Sequence, residues 1–189
     1  MAEYVVSQLV QILQGTNGFS PFLGQESELK GIRAGILGMG ATAQSIASAL
    51  SFFGTEISYY SRTRKPKLEQ EKGYRYKDLE SLLRESNVIC SCLSKNVTLL
   101  RSRELEWMGP NKILFNTSLS PSFDPDAFQK WLEKENTWYF CDTLMGLGSE
   151  ALLKRPNVFC LKKSSGTTIQ AVDRLNEKVL RNLKDYLNS

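Results

Sequence analysis

The stretch Gly38-Met39-Gly40-Ala41-Thr42-Ala43 constrains the fold more than any other part of the chain. A short apolar run at 34–37 ends in its first glycine. Residues 41–53 then place Ile46, Ala47, Leu50 and Phe53 on one helical face. A strand that passes through glycines straight into a helix is the opening unit of a parallel α/β sheet with a dinucleotide-type turn. Gly38 allows the tight turn, and Gly40 lets the backbone approach a pyrophosphate. Ala43 is small enough for the helix to pack closely on the strand. Met39, Ala41 and Thr42 belong to the same cradle, because the start of a helix offers free N–H groups and partial positive charge to phosphates. The alternative is a glycine turn kept only for packing.

The remaining pattern agrees with this start. Strands are expected at 56–60, weakly at 74–76, and at 88–93, 112–116, 138–142 and 158–161. Helices are expected at 78–84, 102–107, 124–134 and from 168 onward. Asp78 is a plausible cap, and Asp124-Pro125-Asp126 is a strong helix start. This alternation predicts an α/β fold of Rossmann type: a doubly wound parallel sheet with helices on both faces. The 189 residues suit one domain. It comprises a first helix within 1–14, a sheet core at 33–161 and a last helix at 168–187. Trp107, Trp131 and Trp138 fall among helix and strand residues and are expected in the core or an interface.

Composition excludes several chemistries. The chain contains no histidine, so Ser-His-Asp and Cys-His mechanisms are ruled out, and the commonest metal ligand is missing. The four cysteines lack C-x-x-C spacing, so no metal site is expected. They read instead as reduced, buried thiols, which points to the cytoplasm. A net charge of +4 is too mild to argue for nucleic acid. No run of about 18 apolar residues could span a membrane, and residues 1–13 make a poor signal peptide.

One basic cluster stands out: Arg62, Arg64, Lys65 and Lys67. It overlaps Ser61-Arg62-Thr63-Arg64, which follows the second strand. An NAD site wants an acid about 20 residues beyond the glycines, to accept from the ribose 2′-hydroxyl. Residues 61–64 hold no acid. A hydroxyl and two guanidiniums suit a 2′-phosphate, so NADP(H) is expected over NAD(H). The alternative is a solvated basic loop indifferent to the 2′ position.

Several stretches carry a more specific resemblance: AEYVVSQLVQIL, GIRAGILGMGATAQSIASALSFFGTEISYYSRTRKP, YKDLESLLRESNVICSCLS, MGPNKILFNTS, CDT and RPNVFC. In order and spacing the chain resembles the cofactor-binding domain of the D-isomer-specific 2-hydroxyacid dehydrogenases. Ser-Arg-Thr resembles their NADP-preferring glyoxylate and hydroxypyruvate reductase branch. The resemblance implies that Leu93, Ser94 and Thr98 pass the cofactor's ribose and pyrophosphate. It also implies that Thr117 lies beside the nicotinamide and that Asp142 faces its carboxamide. A homodimer is expected through the helix at 2–14, which crosses between subunits in that family.

The departures are equally specific. Family members carry a substrate domain ahead of the Ala-Glu-Tyr helix, where this chain begins, so the usual cleft is expected to have one wall. Leu119 stands where the family's catalytic arginine follows Asn-Thr. Lys163 stands where its histidine sits, and the supporting glutamate falls near Leu147. Lys163, beside Lys162, is a conceivable catalytic proton donor; the alternative is a solvated or phosphate-facing lysine. Two readings follow: an oxidoreductase acting on a small carbonyl-type substrate, or a nucleotide-binding sensor that has lost the chemistry. Reduction of 2-oxo acids by this chain alone is not expected.

Overall fold

The computed structural model describes residues 1–188. The chain opens with α1 (Ala2–Gln14) and a glycine-rich loop. β1 (Arg33–Leu37), α2 (Ala41–Phe52), β2 (Glu56–Tyr60), α3 (Pro66–Lys72), β3 (Arg75–Tyr76) and α4 (Leu79–Glu85) follow. Next come β4 (Val88–Ser91), α5 (Ser102–Met108), β5 (Lys112–Asn116), α6 (Pro125–Trp131) and β6 (Thr137–Cys141). The last elements are α7 (Leu144–Leu147), a 3-10 turn (Glu150–Lys154), β7 (Val158–Cys160) and α8 (Ile169–Leu187). The seven strands form one parallel sheet in the order β3-β2-β1-β4-β5-β6-β7. The direction of winding reverses between β1 and β4, so a crevice opens at their carboxyl ends.

The pleat divides each strand between two cores. Ile36, Cys90, Ile113, Phe115 and Phe140 meet α1 and α2 on one face. Ile89, Leu114, Tyr139 and Cys141 meet α4, α5 and α6 on the other. Cover on both faces explains why strands such as β4 and β5 are buried at every position. Gly35 sets the approach of α4. A Cβ there would lie 2.5 Å from Ser86 Oγ and 2.6 Å from Leu82 Cδ2. Trp131 is buried, and Trp107 and Trp138 pack against the two cores. All four cysteines are free thiols, with Cys90 and Cys141 fully buried.

The caps expected from sequence form. Asp78 accepts from Ser81 N–H at 2.9 Å and Asp124 from Ala127 N–H at 3.0 Å. α6 stops at Trp131 rather than near 134, because the chain turns there toward Asn136, which sits at φ +50° before β6. α3 was not expected, yet its signals are plain: Pro66 in the first turn and Gly73 at φ +70° closing it.

α1 packs on its own sheet. Val5, Leu9 and Ile12 are fully buried. Tyr4 Oη donates to the Cys141 carbonyl at 2.8 Å, and the Met1 ammonium to the Ser165 carbonyl at 3.0 Å. The wide apolar stripe that led to the expectation of a dimer through 2–14 is thus largely covered within one chain. α8 is the opposite case: none of its nineteen residues is buried.

Candidate functional site

The site is built on the turns that leave β1, β2 and β4. Gly38 N–H donates to the Tyr60 carbonyl at 2.8 Å, and Cys92 N–H to the Leu37 carbonyl at 2.9 Å, so the three turns are laced together. Gly38 sits at φ +89°, and a Cβ on it would lie 2.9 Å from the Cys92 carbonyl oxygen. Conformation and space both demand glycine there. Gly40 differs. Its backbone is ordinary, at φ −80° and ψ −174°, and a Cβ on it would meet nothing within 4 Å. It stands at the head of α2, where no side chain caps the helix. The start of α2 is thus left without a side-chain cap, beside open space at Gly40.

Between these turns lies a cleft of ≈ 630 Å³. Gly38, Met39 and Gly40 form its floor. Ser61, Arg62 and Thr63 line it from the end of β2, and Leu93 and Ser94 from the end of β4. Tyr60, Lys65, Cys92, Val97 and Leu99 complete the lining and were not among the expected site residues. Lys65 was visible as a member of the basic cluster; the other four carry no signal beyond adjacency. The lining contains two cations and no carboxylate.

Arg64 is not part of this lining. Its guanidinium clasps Glu69, with Nε–Oε1 at 2.9 Å and Nη2–Oε2 at 2.7 Å, and lies over the Tyr76 ring. That bond holds the Glu69 carboxyl below its ordinary range. Glu69 also accepts from Tyr59 Oη at 2.9 Å, and Tyr59 Oη accepts from Lys65 N–H at 2.6 Å. Arg64 thus braces the loop that carries Ser61, Arg62, Thr63 and Lys65. Ser61 Oγ closes the loop on itself by donating to the Thr63 carbonyl at 2.7 Å.

The other expected residues lie apart from the cleft lining. Ala41 faces a groove between α2 and α3, and Thr42 a depression beside Met1 and Ser165. Thr98 is exposed on the loop after β4. Thr117, Asp142 and Lys163 follow β5, β6 and β7 on the same carboxyl edge. Thr117 is buried and donates to the Ser91 carbonyl at 3.2 Å. Asp142 is 2% exposed, and its Oδ2 accepts from both Ser165 N–H and Ser165 Oγ at 2.9 Å. Lys163 donates its backbone N–H to the Asp142 carbonyl at 2.9 Å, and its side chain is exposed. Leu119 is 50% exposed on the loop after β5. Among the described residues no three His, Cys, Asp or Glu side chains group as a metal site, and no helix is long and apolar enough to cross a membrane.

Residues 9–161 match the sequence profile of the D-isomer specific 2-hydroxyacid dehydrogenase NAD binding domain. The chain belongs to the D-isomer specific 2-hydroxyacid dehydrogenase family. It is 34% identical over 179 residues to the glyoxylate reductase of Thermococcus litoralis, covering 88% of this chain and 52% of that enzyme. Among solved structures, the NAD-complexed D-isomer specific 2-hydroxyacid dehydrogenase of Lactobacillus delbrueckii ssp. bulgaricus superposes with a TM-score of 0.81 at 19% identity. That match covers 99% of this chain and 66% of that one. The D-lactate dehydrogenase of Aquifex aeolicus, complexed with NAD and lactic acid, gives 0.78 at 19%, with the same coverage. The chain spans about half the length of the glyoxylate reductases it matches. The matched residues correspond to the NAD binding domain of that family.

Proposed function

We propose that the cleft binds NADP(H) in preference to NAD(H), and that the chain serves as the cofactor-binding part of an oxidoreductase of small carbonyl-type substrates. One observation carries the cofactor preference. The lining at the end of β2 offers Ser61, Arg62, Thr63 and Lys65, with no carboxylate to accept from a ribose 2′-hydroxyl. A 2′-phosphate is attracted by such a set, whereas an acid would repel it. The pyrophosphate is assigned to the open space over Gly40 and the uncapped start of α2, where a backbone N–H can reach an anion unobstructed. The bound dinucleotide supplies the hydride. Leu93 and Ser94 flank its path from β4.

The test is a fluorescence titration of NADPH and NADH. A charged hydrogen bond is worth about 1.5–3 kcal/mol and tenfold in affinity about 1.4 kcal/mol, so NADPH is expected to bind at least tenfold tighter. Equal affinities refute the reading.

A second reading, a nucleotide-binding sensor without catalysis, is favoured by a different observation. The chain holds no histidine, Leu119 offers no carboxylate clamp, and the Lys163 side chain lies in solvent. Lys163 is a candidate proton donor on this edge. The same proposal takes a small molecule as substrate, no nucleic acid or membrane as partner, and the cytoplasm as location; the four free thiols support the last.

A further inference from the structure

A second cavity lies on the other half of the sheet, between the segment after β5, the head of α6, and the α7 and 3-10 turns. It measures ≈ 160 Å³ and shares no lining residue with the cleft over β2, β1 and β4. Its floor is apolar. Phe123, Leu147 and Leu152 are at most 7% exposed and belong to the core that α4, α5 and α6 cover. Its walls are stiff. Pro121 and Pro125 have a fixed φ, and Pro125 opens α6 behind the Asp124 cap. Gly148 sits at φ +82°, and a Cβ on it would lie 2.8 Å from Pro121 Cγ. Only glycine passes Pro121 in that conformation, so the two walls keep their spacing without a ligand.

Size and chemistry together limit the occupant. An apolar cavity of about 150 Å³ takes one benzene ring, so a nucleotide is excluded by volume. An inorganic anion or a sugar is excluded by the floor, which offers no bond to replace the water it would lose. An aromatic ring is favoured. Phe123 already stacks on Phe128 with centroids 3.7 Å apart and meets Tyr139 edge-on at 5.4 Å, and an incoming ring extends this cluster. The rim is different in character. Arg155 and Gln129 stand there, and among the described residues the lining holds no carboxylate. Arg155 Nη2 donates to Glu133 Oε1 at 3.1 Å, but the Glu133 side chain is 65% exposed. An ion pair this exposed is weak, so the guanidinium can turn to a carboxylate on a ligand. The Gln129 amide adds a donor at the same rim.

We propose that this cavity binds a single-ring aromatic monocarboxylate, with the ring on Phe123, Leu147 and Leu152 and the carboxylate at Arg155 and Gln129. The site is separate from the dinucleotide cleft and does not rest on the cofactor reading.

The experiment is a benzoate titration of the full chain followed by methyl NMR. The Leu147 and Leu152 methyl signals should shift and saturate with a Kd below about 1 mM, ordinary strength for so small a ligand. Acetate, which lacks the ring, and benzyl alcohol, which lacks the charge, should bind at least tenfold more weakly. Arg155→Met should weaken benzoate at least tenfold and leave benzyl alcohol unchanged. Ala151→Phe places a ring at an exposed position of the lining. It should abolish binding of both, with an unchanged thermal transition. NADPH should leave the benzoate titration unchanged. Absence of saturation up to about 10 mM benzoate overturns the proposal. So does acetate binding as tightly as benzoate, or benzoate binding that survives both variants. Displacement of benzoate by NADPH overturns it as well, since that would place the acid in the dinucleotide cleft.

Discussion

Replacing Gly40 by serine should separate binding from stability. The backbone at Gly40, φ −80° and ψ −174°, is open to any residue, and a Cβ there meets no atom within 4 Å. Serine is also among the preferred residues at the head of a helix, better than glycine by a few tenths of a kcal/mol. The Gly40→Ser protein should therefore unfold within about 2 °C of the wild type, or slightly above it. Binding should respond in the opposite direction. The serine side chain enters the space assigned to the pyrophosphate. Its Oγ also accepts the Thr42 or Ala43 N–H that is otherwise left for an anion. Loss of one such charge-assisted bond costs about 1.5–3 kcal/mol, so NADPH affinity should fall roughly 10- to 100-fold. Differential scanning fluorimetry and NADPH fluorescence titration on the same preparation measure both. An unchanged Kd would mean that the open space above Gly40 is not where phosphate lies. A large drop in melting temperature would mean that glycine is kept there for the fold.

Other expectations follow from the same geometry. Arg62→Ala should weaken NADPH at least tenfold and leave NADH within about threefold. Arg64→Ala, by contrast, frees Glu69 and Tyr59 and should weaken both cofactors alike, since Arg64 braces the loop rather than lining the cleft; titrations of the two variants decide. Lys112 is 8% exposed and donates its ammonium to the carbonyls of Arg84 and Ser86. Burial, with Arg33 nearby, pushes it down to about 8. The folded state then binds fewer protons than the unfolded between pH 8 and about 10.5, so this group's contribution to stability rises with pH across that window, by about 1–3 kcal/mol. Urea unfolding of the wild type minus Lys112→Met should show that slope, and a flat difference refutes it. Finally, NADPH consumption by this chain with glyoxylate, hydroxypyruvate or pyruvate should stay near background, because loss of a positioned acid costs on the order of 10²–10⁴-fold. Robust turnover abolished by Lys163→Ala would make that lysine the donor.

The fold was legible wherever a local rule and burial agree. The strands β2 and β5 and the caps Asp78 and Asp124 lie where their patterns place them, because each is set by neighbours within a few residues. The floor of the cleft was legible for the same reason: Gly38 and Gly40 act through their own backbones. Side-chain direction was not. Arg62 and Arg64 are two residues apart on one basic stretch, yet one lines the cleft and the other turns to Glu69. What decides is an acid five residues on, held by Tyr59 from the strand below. Helical return of the chain at Pro66 brings Glu69 there, and α3 was the helix missed. The fate of an apolar stripe was equally illegible. α1 and α8 both show one, but only packing tells that the first is covered and the second is not.

The carboxyl edge of the sheet divides into two parts with different physical character. Over β2, β1 and β4, backbone N–H groups, glycine space and two cations are left open around a cleft. Over β5 and β6, Asn116, Thr117 and Asp142 are already engaged with the protein. Asn116 Nδ2 bonds to the carbonyls of Ser120 and Gly146, Thr117 to that of Ser91, and Asp142 to Ser165. A group satisfied in this way stiffens its loop but has little capacity left to orient a ligand without first breaking a bond worth about 1 kcal/mol net, more where the partner is charged. In the proposed binding mode the cofactor's phosphate-bearing half meets the open end of this edge, and its reactive half faces groups already committed to holding the scaffold. Affinity in this chain should come from the β2–β1–β4 end. Lys163, exposed beyond β7, is the sequence-derived candidate for proton transfer on this edge. This division predicts that changes at Arg62, Thr63 and Lys65 alter Kd alone, while changes at Asp142 and Thr117 first appear in the melting temperature.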